Sequence, residues 1–426
     1  MARAPLRAVS VSSVGGPCST AHVPEQGSKR GTGDTALSTS RAAEATIPDM
    51  AGTVRAAVLV KPKTLVAREF ARPTLGPDDG LLRIEACGIC GSDYEQYEGA
   101  QPPHEDYTPY PVIPGHEPLG IIEDIGARAR QRWGVAEGDR VAVRSGYGCG
   151  RCEACRRWEP RACPRRGGTY GYTDVGKPPH LWGGYAEHMY LSPYSVLKKM
   201  DATIPAGVAV MFNPLAAGLS WAGSVPRTGP GDRVVILGAG QRGLCCVIGA
   251  RAAGARQIVV TGLGRDAEKL ELARELGADV TVDAETGDVV AQVREATAGG
   301  AEVVVDTTPY APQSLNHAVA IAVRKGRIVV AGLKGLRPTH EFPADDLIYK
   351  ELTIRGVLSM PVDETFRAID IIESGRYPFD KLHTCSLPLE QAEDAIEALA
   401  GKLPGVNPVH LAIVPGAPRV SLRRGP

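Results

Sequence analysis

The sequence has no excess of charge of either sign, since its 426 residues include 48 lysines and arginines against 48 aspartates and glutamates. A chain that neutralises nucleic-acid phosphates or adheres to an anionic membrane usually carries a basic surplus, so the balance argues against both partners. We expect no apolar run to approach the length of a bilayer span, and the amino-terminal region lacks the apolar core of a secretory signal. The composition is otherwise that of an ordinary globular protein.

Both ends of the chain lack the periodicity of helices or strands. Residues 1–49 are rich in Ser, Gly, Ala, Thr and Arg, and their mixed charges do not suit an organelle transit peptide, so we predict a disordered tail. The alternation of a β-strand begins directly after Met50, which we expect to start the folded part. Residues 416–426 are basic and contain Pro and Gly, and they are likewise predicted to be disordered.

Ten cysteines are present, and their spacing favours metal sites in a reducing compartment, the cytoplasm, over disulfides. Cys149, Cys152, Cys155 and Cys163 follow the pattern C-x₂-C-x₂-C-x₇-C, a strong signal for a closed tetrahedral zinc site. An iron–sulfur run would place its fourth cysteine after three residues rather than seven. Nearby arginines suggest a nucleic-acid-binding zinc knuckle, but a solvated basic lobe fits a neutral chain better.

A second group of metal-ligating residues lies in the sequence Ala-Cys-Gly-Ile-Cys-Gly-Ser-Asp and, further on, Gly-His-Glu-Pro. Cys90 and His116 suit zinc, which prefers thiolate sulfur and neutral imidazole nitrogen. Asp93 and Glu117 are placed to orient those ligands, and Ser92 puts a hydroxyl close enough to carry a proton. Buried small side chains and a turn histidine would be the structural alternative, but both motifs in this order favour a metal.

Short strands separated by Gly- and Pro-containing turns fill the region from 54 to 145, which predicts a small barrel-like β domain. The predicted strands are Arg55–Val60, Leu81–Ala86, Gly120–Ile125 and Asp139–Val143.

Alternating strand and helix patterns begin at Gly231 and predict a doubly wound parallel sheet. The continuous apolar strand Arg233–Leu237 is followed by a glycine turn, Gly238, Gly240 and Gly243, and then by an Ala-rich helix. In that context G-x-G-x-x-G is a dinucleotide fingerprint, with pyrophosphate on the helix N-terminus.

The end of the next strand bears on which nicotinamide cofactor binds. Gly262 stands there, so no carboxylate repels a 2′-phosphate, and Arg265 is placed to pair with one. Asp266 is the nearest acid, and we expect its side chain to cap the following helix. The pattern favours NADP over NAD, with dual specificity if Arg265 is merely a surface residue.

From about Val54 to about Pro415 the chain resembles the zinc-containing medium-chain dehydrogenase/reductase family, which includes alcohol and sorbitol dehydrogenases. The resemblance implies an α/β fold, in which a GroES-like β-barrel catalytic domain accompanies a Rossmann domain. The implied divisions are 50–212 for the catalytic domain with a structural zinc lobe at 145–168, 213–357 for the Rossmann domain, and 358–415 for a return to the catalytic domain.

The resemblance also assigns roles to individual residues. Cys90 and His116 would be catalytic-zinc ligands, Ser92 the proton-relay hydroxyl, and Glu117 a neighbour of the metal, while the four lobe cysteines would hold structural zinc. The third ligand of the family is Cys, Glu or Asp, but Asn213 stands at that position here. Either zinc is held loosely, or Glu117 or water completes the shell, or the catalytic metal is lost.

The expected function is zinc-dependent oxidoreduction, in which a hydride passes between an alcohol or carbonyl substrate and NADP or NAD. The resemblance suggests a homodimer or homotetramer. One alternative is a zinc-independent enone or quinone reductase that keeps only the Cys₄ zinc. Another is a catalytically idle nucleotide-binding protein.

Overall fold

A computed structural model describes residues 52–100, 110–157, 163–165 and 168–422. The tail predicted over 1–49 lies outside these described residues.

Short strands dominate the amino-terminal part of the chain. Its strands are β1 (Thr53–Lys61), β2 (Thr64–Ala71), β3 (Gly80–Gly88), β4 (Glu117–Ile125), β5 (Arg140–Val143), β6 (Gly146–Tyr147), β7 (Gly168–Thr169), β8 (His188–Leu191) and β9 (Leu197–Lys199). Its helices are α1 (Gly91–Glu98), α2 (Ala127–Trp133), α3 (Glu153–Arg156) and α4 (Ala206–Ala209).

Strands and helices alternate in the following part. The strands are β10 (Arg233–Leu237), β11 (Gln257–Gly262), β12 (Val280–Asp283), β13 (Ala301–Asp306), β14 (Ala322–Val330) and β15 (Thr353–Gly356). The helices are α5 (Phe212–Leu219), α6 (Gln241–Ala252), α7 (Ala267–Glu275), α8 (Val289–Ala296), α9 (Ser314–Ile321) and α10 (Ala344–Tyr349). The chain ends with α11 (Val362–Glu373), α12 (Phe379–Leu382), β16 (His383–Leu387), α13 (Ala392–Leu399) and β17 (His410–Ile413).

Six parallel strands form the nucleotide-binding sheet in the order β12-β11-β10-β13-β14-β15. The central strands β10 and β13 are mainly apolar and almost entirely buried, because helices cover both faces of the sheet. This arrangement confirms the predicted doubly wound parallel sheet. The sequence interpretation missed β12, a short strand that pairs with β11 near the edge of the sheet.

The second large sheet has the order β16-β17-β3-β4-β5-β9, with β8 also paired to β3. Residues close to the carboxyl end therefore join strands from the beginning of the chain, and β17 runs antiparallel to β3. This sheet is the GroES-like part of the predicted fold. Strand β2, which pairs with β1, was missed because most of its residues are exposed and it lacks an apolar face.

One helical stretch, Ala206–Ser224, is long and apolar enough to cross a membrane by length and composition. The expectation that no apolar run approaches this length is therefore wrong. Burial explains its composition: 83% of the most apolar window is inside the protein, and α5 packs against α6 and α11. Helix α5 is apolar on every face because other helices surround it.

The prediction of a disordered carboxyl-terminal tail from 416 is wrong for the described residues 416–422. Gln391 donates to the Val420 carbonyl at 2.9 Å and accepts from the Val420 amide at 2.8 Å. Val420 and Leu422 also pack against the apolar core. Two backbone hydrogen bonds and apolar contacts thus hold a segment whose composition alone suggested disorder.

Candidate active site

A cleft of about 370 Å³ is lined by loops and helices that adjoin the strands of both large sheets. Cys90, Ser92 and His116 line it from the first part of the chain, and Gly240–Gly243 line it from the glycine turn before α6. The sequence-predicted metal and nucleotide motifs therefore meet in one cavity.

The two halves of the metal motif come together because β3 and β4 are antiparallel neighbours. Gly88 pairs with Glu117, so the loop after β3 lies beside the residues that open β4. Cys90 stands at the N-terminus of α1, where its backbone amide donates to the Asp93 carboxylate at 2.8 Å. This bond fixes the loop that carries the thiol.

Cys90, Ser92 and His116 form a compact group. The Cys90 sulfur lies 2.7 Å from Ser92 Oγ and 3.2 Å from His116 Nε2, and Ser92 Oγ lies 3.4 Å from that nitrogen. On its other side, His116 Nδ1 lies 3.2 Å from the buried Asp93 carboxylate. Burial lowers the pKa of His116, but Asp93 and Cys90 raise it by more, leaving the pKa well above its usual value.

Glu117 completes a set of three candidate metal ligands. Ligand atoms of Cys90, His116 and Glu117 all lie within 4.8 Å of one another, and all three residues are buried. The carboxylate oxygen nearest the imidazole is Oε1, which lies 3.8 Å from His116 Nε2. Sulfur, imidazole nitrogen and carboxylate oxygen are a zinc donor set, so these residues fit the metal.

Asn213, which stands at the family's third ligand position, lines the same cleft. Its side-chain oxygen accepts from Arg242 Nη2 at 3.0 Å, while that nitrogen also donates to Glu117 Oε1 at 2.6 Å. The pKa of Glu117 is raised by burial, an effect that Arg242 partly offsets. Glu117 therefore lies between the candidate ligands Cys90 and His116 on one side and the Arg242 guanidinium on the other.

The four lobe cysteines also converge, with all their sulfurs within 4.8 Å of one another. Backbone amides of Cys149 and Cys155 lie 3.4 Å from the sulfurs of Cys163 and Cys152 respectively. A hydrogen bond from the Arg151 backbone is the main cause that lowers the pKa of Cys149 to about 6. Such donors stabilise thiolates, so the lobe fits a structural zinc ion.

The glycine turn leaves room for a nucleotide. Gly238 has φ +105°, a conformation that side chains disfavour, and a Cβ on Gly243 would lie 1.9 Å from the Gly238 carbonyl oxygen. Gly240 borders open space at the N-terminus of α6, where backbone N–H groups can receive pyrophosphate.

The end of β11 differs from the sequence interpretation in two respects. The Asp266 carboxylate accepts from the Leu263 amide at 3.1 Å and makes no capping bond to α7, so the predicted cap is wrong. Arg265 is exposed and does not line the cleft, whereas Lys269 does and is buried. Nothing in the local pattern indicates that Lys269 is buried, because a lysine in an amphipathic helix is usually a surface residue.

Glu95 is a further residue that lines the cleft. It lies one turn after Ser92 on α1, so both side chains share the helix face that borders the cavity. Burial raises the pKa of Glu95 to about 7. A carboxyl group that titrates near neutrality can exchange protons during a reaction.

Comparisons with known proteins agree with this geometry. Residues 76–202 match the model of the alcohol dehydrogenase GroES-like domain, and residues 243–374 match that of the zinc-binding dehydrogenase domain. The chain is 45% identical over 366 residues to "Probable alcohol dehydrogenase adh" of Mycobacterium tuberculosis, covering 85% of this chain and 98% of that protein.

Two more distant relatives extend the comparison. An erythritol/L-threitol dehydrogenase of Mycolicibacterium smegmatis is 31% identical, covering 85% of this chain and 98% of that protein. A zinc-binding dehydrogenase structure from Sinorhizobium meliloti 1021 bound to NADP has a TM-score of 0.72 at 28% identity. That likeness covers 86% of this chain and all of the other.

The fold and the cleft define an oxidoreductase that combines zinc with a nicotinamide dinucleotide. The chain belongs to the zinc-containing medium-chain dehydrogenase/reductase family. It is a zinc-dependent oxidoreductase of the alcohol dehydrogenase type, with a small-molecule alcohol or carbonyl substrate and NAD(P) as cofactor.

Proposed function

We propose that Cys90, His116 and Glu117 hold the catalytic zinc and that Cys149, Cys152, Cys155 and Cys163 hold a structural one. The observation that carries this proposal is the convergence of the first three ligand atoms at the wall of a cleft that also contains the dinucleotide turn. When bound, zinc supplies Lewis acidity and the nicotinamide exchanges a hydride with the substrate carbon.

Ser92 and Glu95 would handle the proton of the substrate hydroxyl. Ser92 Oγ lies 2.7 Å from the Cys90 sulfur, so it borders the position at which the substrate oxygen must sit. Its hydroxyl can accept a proton while releasing its own, and Glu95 on the same helix face is the next group that can take it. Asp93 holds the His116 ring in place through Nδ1.

For the cofactor, we propose that pyrophosphate binds at Gly238, Gly240 and Gly243 and that NADP is preferred over NAD. Gly262 leaves the strand end without a carboxylate. Lys269, whose ammonium lies 3.5 Å from the Asp266 carboxylate, adds a cation inside the cleft, and Arg265 supplies a second on the exposed turn. A phosphate bound between two cations gains charge-assisted hydrogen bonds that a 2′-hydroxyl cannot match.

One polar side chain in the cleft suggests a substrate class. The Glu95 carboxylate makes no hydrogen bond within the described part of the chain, so it is available to a substrate hydroxyl next to the reacting carbon. The relative that acts on erythritol and L-threitol is named for such substrates. We therefore propose a small polyol or diol rather than a simple long-chain alcohol.

We also propose that the chain works as a cytoplasmic homodimer or homotetramer, with the domains divided at residues 212 and 357. Strand β15 is an edge of the six-stranded sheet, and an edge presents unpaired backbone groups. Ile348 and Tyr349, just before it, are 74% and 75% exposed, which favours a second copy of the chain at this edge. Thiol ligands require the reducing conditions of the cytoplasm.

The test combines metal analysis with an activity panel. Zinc-saturated protein should bind a second zinc ion besides the structural one, and mild chelation should remove that ion together with activity. The panel should pair both cofactors with diols, polyols, straight-chain alcohols and an enone. Full activity with one zinc ion, or reduction of the enone alone, would contradict the proposal.

A further inference from the structure

Arg242 is a cation that reaches from the dinucleotide turn into the metal site. It lies at the start of α6, between Gly240 and Gly243 of the fingerprint. Nη2 donates to Glu117 Oε1 at 2.6 Å and to Asn213 Oδ1 at 3.0 Å, and Nη1 donates to the Asn213 backbone carbonyl at 3.1 Å. The guanidinium carbon lies 5.7 Å from the centre of the Trp221 ring, which covers one face.

Asn213 anchors this guanidinium rather than the metal. Two of the three hydrogen bonds of Arg242 end on Asn213, one on the side chain and one on the backbone. An aspartate or glutamate there would offer a metal a negative ligand. The neutral amide instead offers an acceptor for a positive side chain, so Asn213 and Arg242 form one structural unit.

The Arg242 guanidinium and a divalent cation would both be attracted to the Glu117 carboxylate. Glu117 is fully buried, and the Arg242 side chain is 19% exposed, so little water screens the pair. Zinc needs the same carboxylate, because Glu117 is the third member of the ligand cluster. A fixed positive charge this close also repels the metal directly.

We propose that Arg242 is an internal competitor of the catalytic zinc for Glu117, so that zinc is held reversibly at this site but tightly at the Cys₄ lobe. Metal binding exchanges the contact between Arg242 and Glu117 for one between zinc and Glu117, while Asn213 keeps the guanidinium close. This inference rests on the ligand set proposed above, and it adds a reason why that set binds zinc weakly.

The test measures zinc affinity rather than activity. Competition with a chromophoric chelator gives the dissociation constant of the labile zinc in wild type, Arg242→Leu and Arg242→Lys. Removing the charge should tighten binding about tenfold or more, while lysine should leave it close to wild type because the charge remains. Arg251→Leu, which removes a cation from the same helix away from the metal site, is the matched control and should change nothing.

A gain below about tenfold in Arg242→Leu, or weaker binding, would overturn the inference, since the electrostatic argument demands a large effect. If that variant loses its Cys₄ zinc or fails to fold, Arg242→Gln serves instead, because it keeps a donor for Asn213 without the charge. A second zinc in Arg242→Leu but not in wild type would support the inference while contradicting the ligand set for wild type. No second zinc in either protein would sink both.

Discussion

Replacing each of two glycines of the dinucleotide turn with alanine should impair a different property of the protein, stability in one case and cofactor affinity in the other. A Cβ on Gly243 would lie 1.9 Å from the Gly238 carbonyl oxygen, where contacts below 3.0 Å essentially never occur. The start of α6 and the end of β10 would have to separate by about 1 Å, and such overpacking costs about 1–3 kcal/mol of unfolding free energy. Gly243→Ala should therefore destabilise the protein.

Gly240→Ala is the matched substitution, since a Cβ there meets nothing within 4 Å. Its φ of −72° is open to alanine, so stability should stay within about 0.5 kcal/mol of wild type. The added methyl group would instead stand where pyrophosphate must approach the backbone, and cofactor affinity should fall by about tenfold or more.

Urea denaturation of the metal-loaded protein gives the two free energies, and titration of NADPH fluorescence gives the two affinities. The reasoning would be refuted if Gly240→Ala lost as much stability as Gly243→Ala, or if it bound NADPH as tightly as wild type does. Either result would mean that Gly243 is not needed for packing alone and Gly240 for cofactor approach alone.

Three further predictions concern separate parts of the site. Glu95 is protonated below its pKa of about 7, so kcat/KM for alcohol oxidation should fall as pH drops through that value, and Glu95→Gln should abolish the inflection. If the inflection persisted in the variant, it would arise from the titration of another group. Lys269→Met should raise KM for NADP about tenfold and KM for NAD less, whereas Arg274→Met, on the exposed side of α7, should change neither. Equal effects on both cofactors would remove Lys269 from phosphate recognition. Cys152→Ser should release the structural zinc and lower stability by about 2 kcal/mol or more, measured by metal content and thermal unfolding. Normal zinc content would contradict the four-cysteine site.

Local patterns in the sequence were sufficient to predict much of the fold. The apolar run of β10 and the glycines that follow it identify a buried parallel strand and a nucleotide turn within a few residues. The lobe cysteines predicted their own cluster because they lie close in sequence. These features depend on neighbouring residues, which is why they could be read without a structure.

The interactions that were missed depend on distant residues. Arg242 and Glu117 are 125 positions apart, and nothing in either motif indicates that they meet. In the sequence, Asn213 was compared only with the Cys, Glu or Asp expected as a metal ligand. Its hydrogen bonds with the Arg242 guanidinium could not be anticipated from that comparison. The position of Lys269 in the cleft was not predicted for the same reason, because its burial depends on how α7 packs beside the cleft.

One apolar core extends across the boundary between the two large sheets. Ala86 and Leu119 from the GroES-like sheet belong to the same cluster as Val234 and Ile236 from β10, together with the residues of α5. Neither sheet can lose its structure without exposing apolar surface of the other. Heating should therefore produce a single calorimetric transition, with equal van't Hoff and calorimetric enthalpies, rather than stepwise melting of independent units.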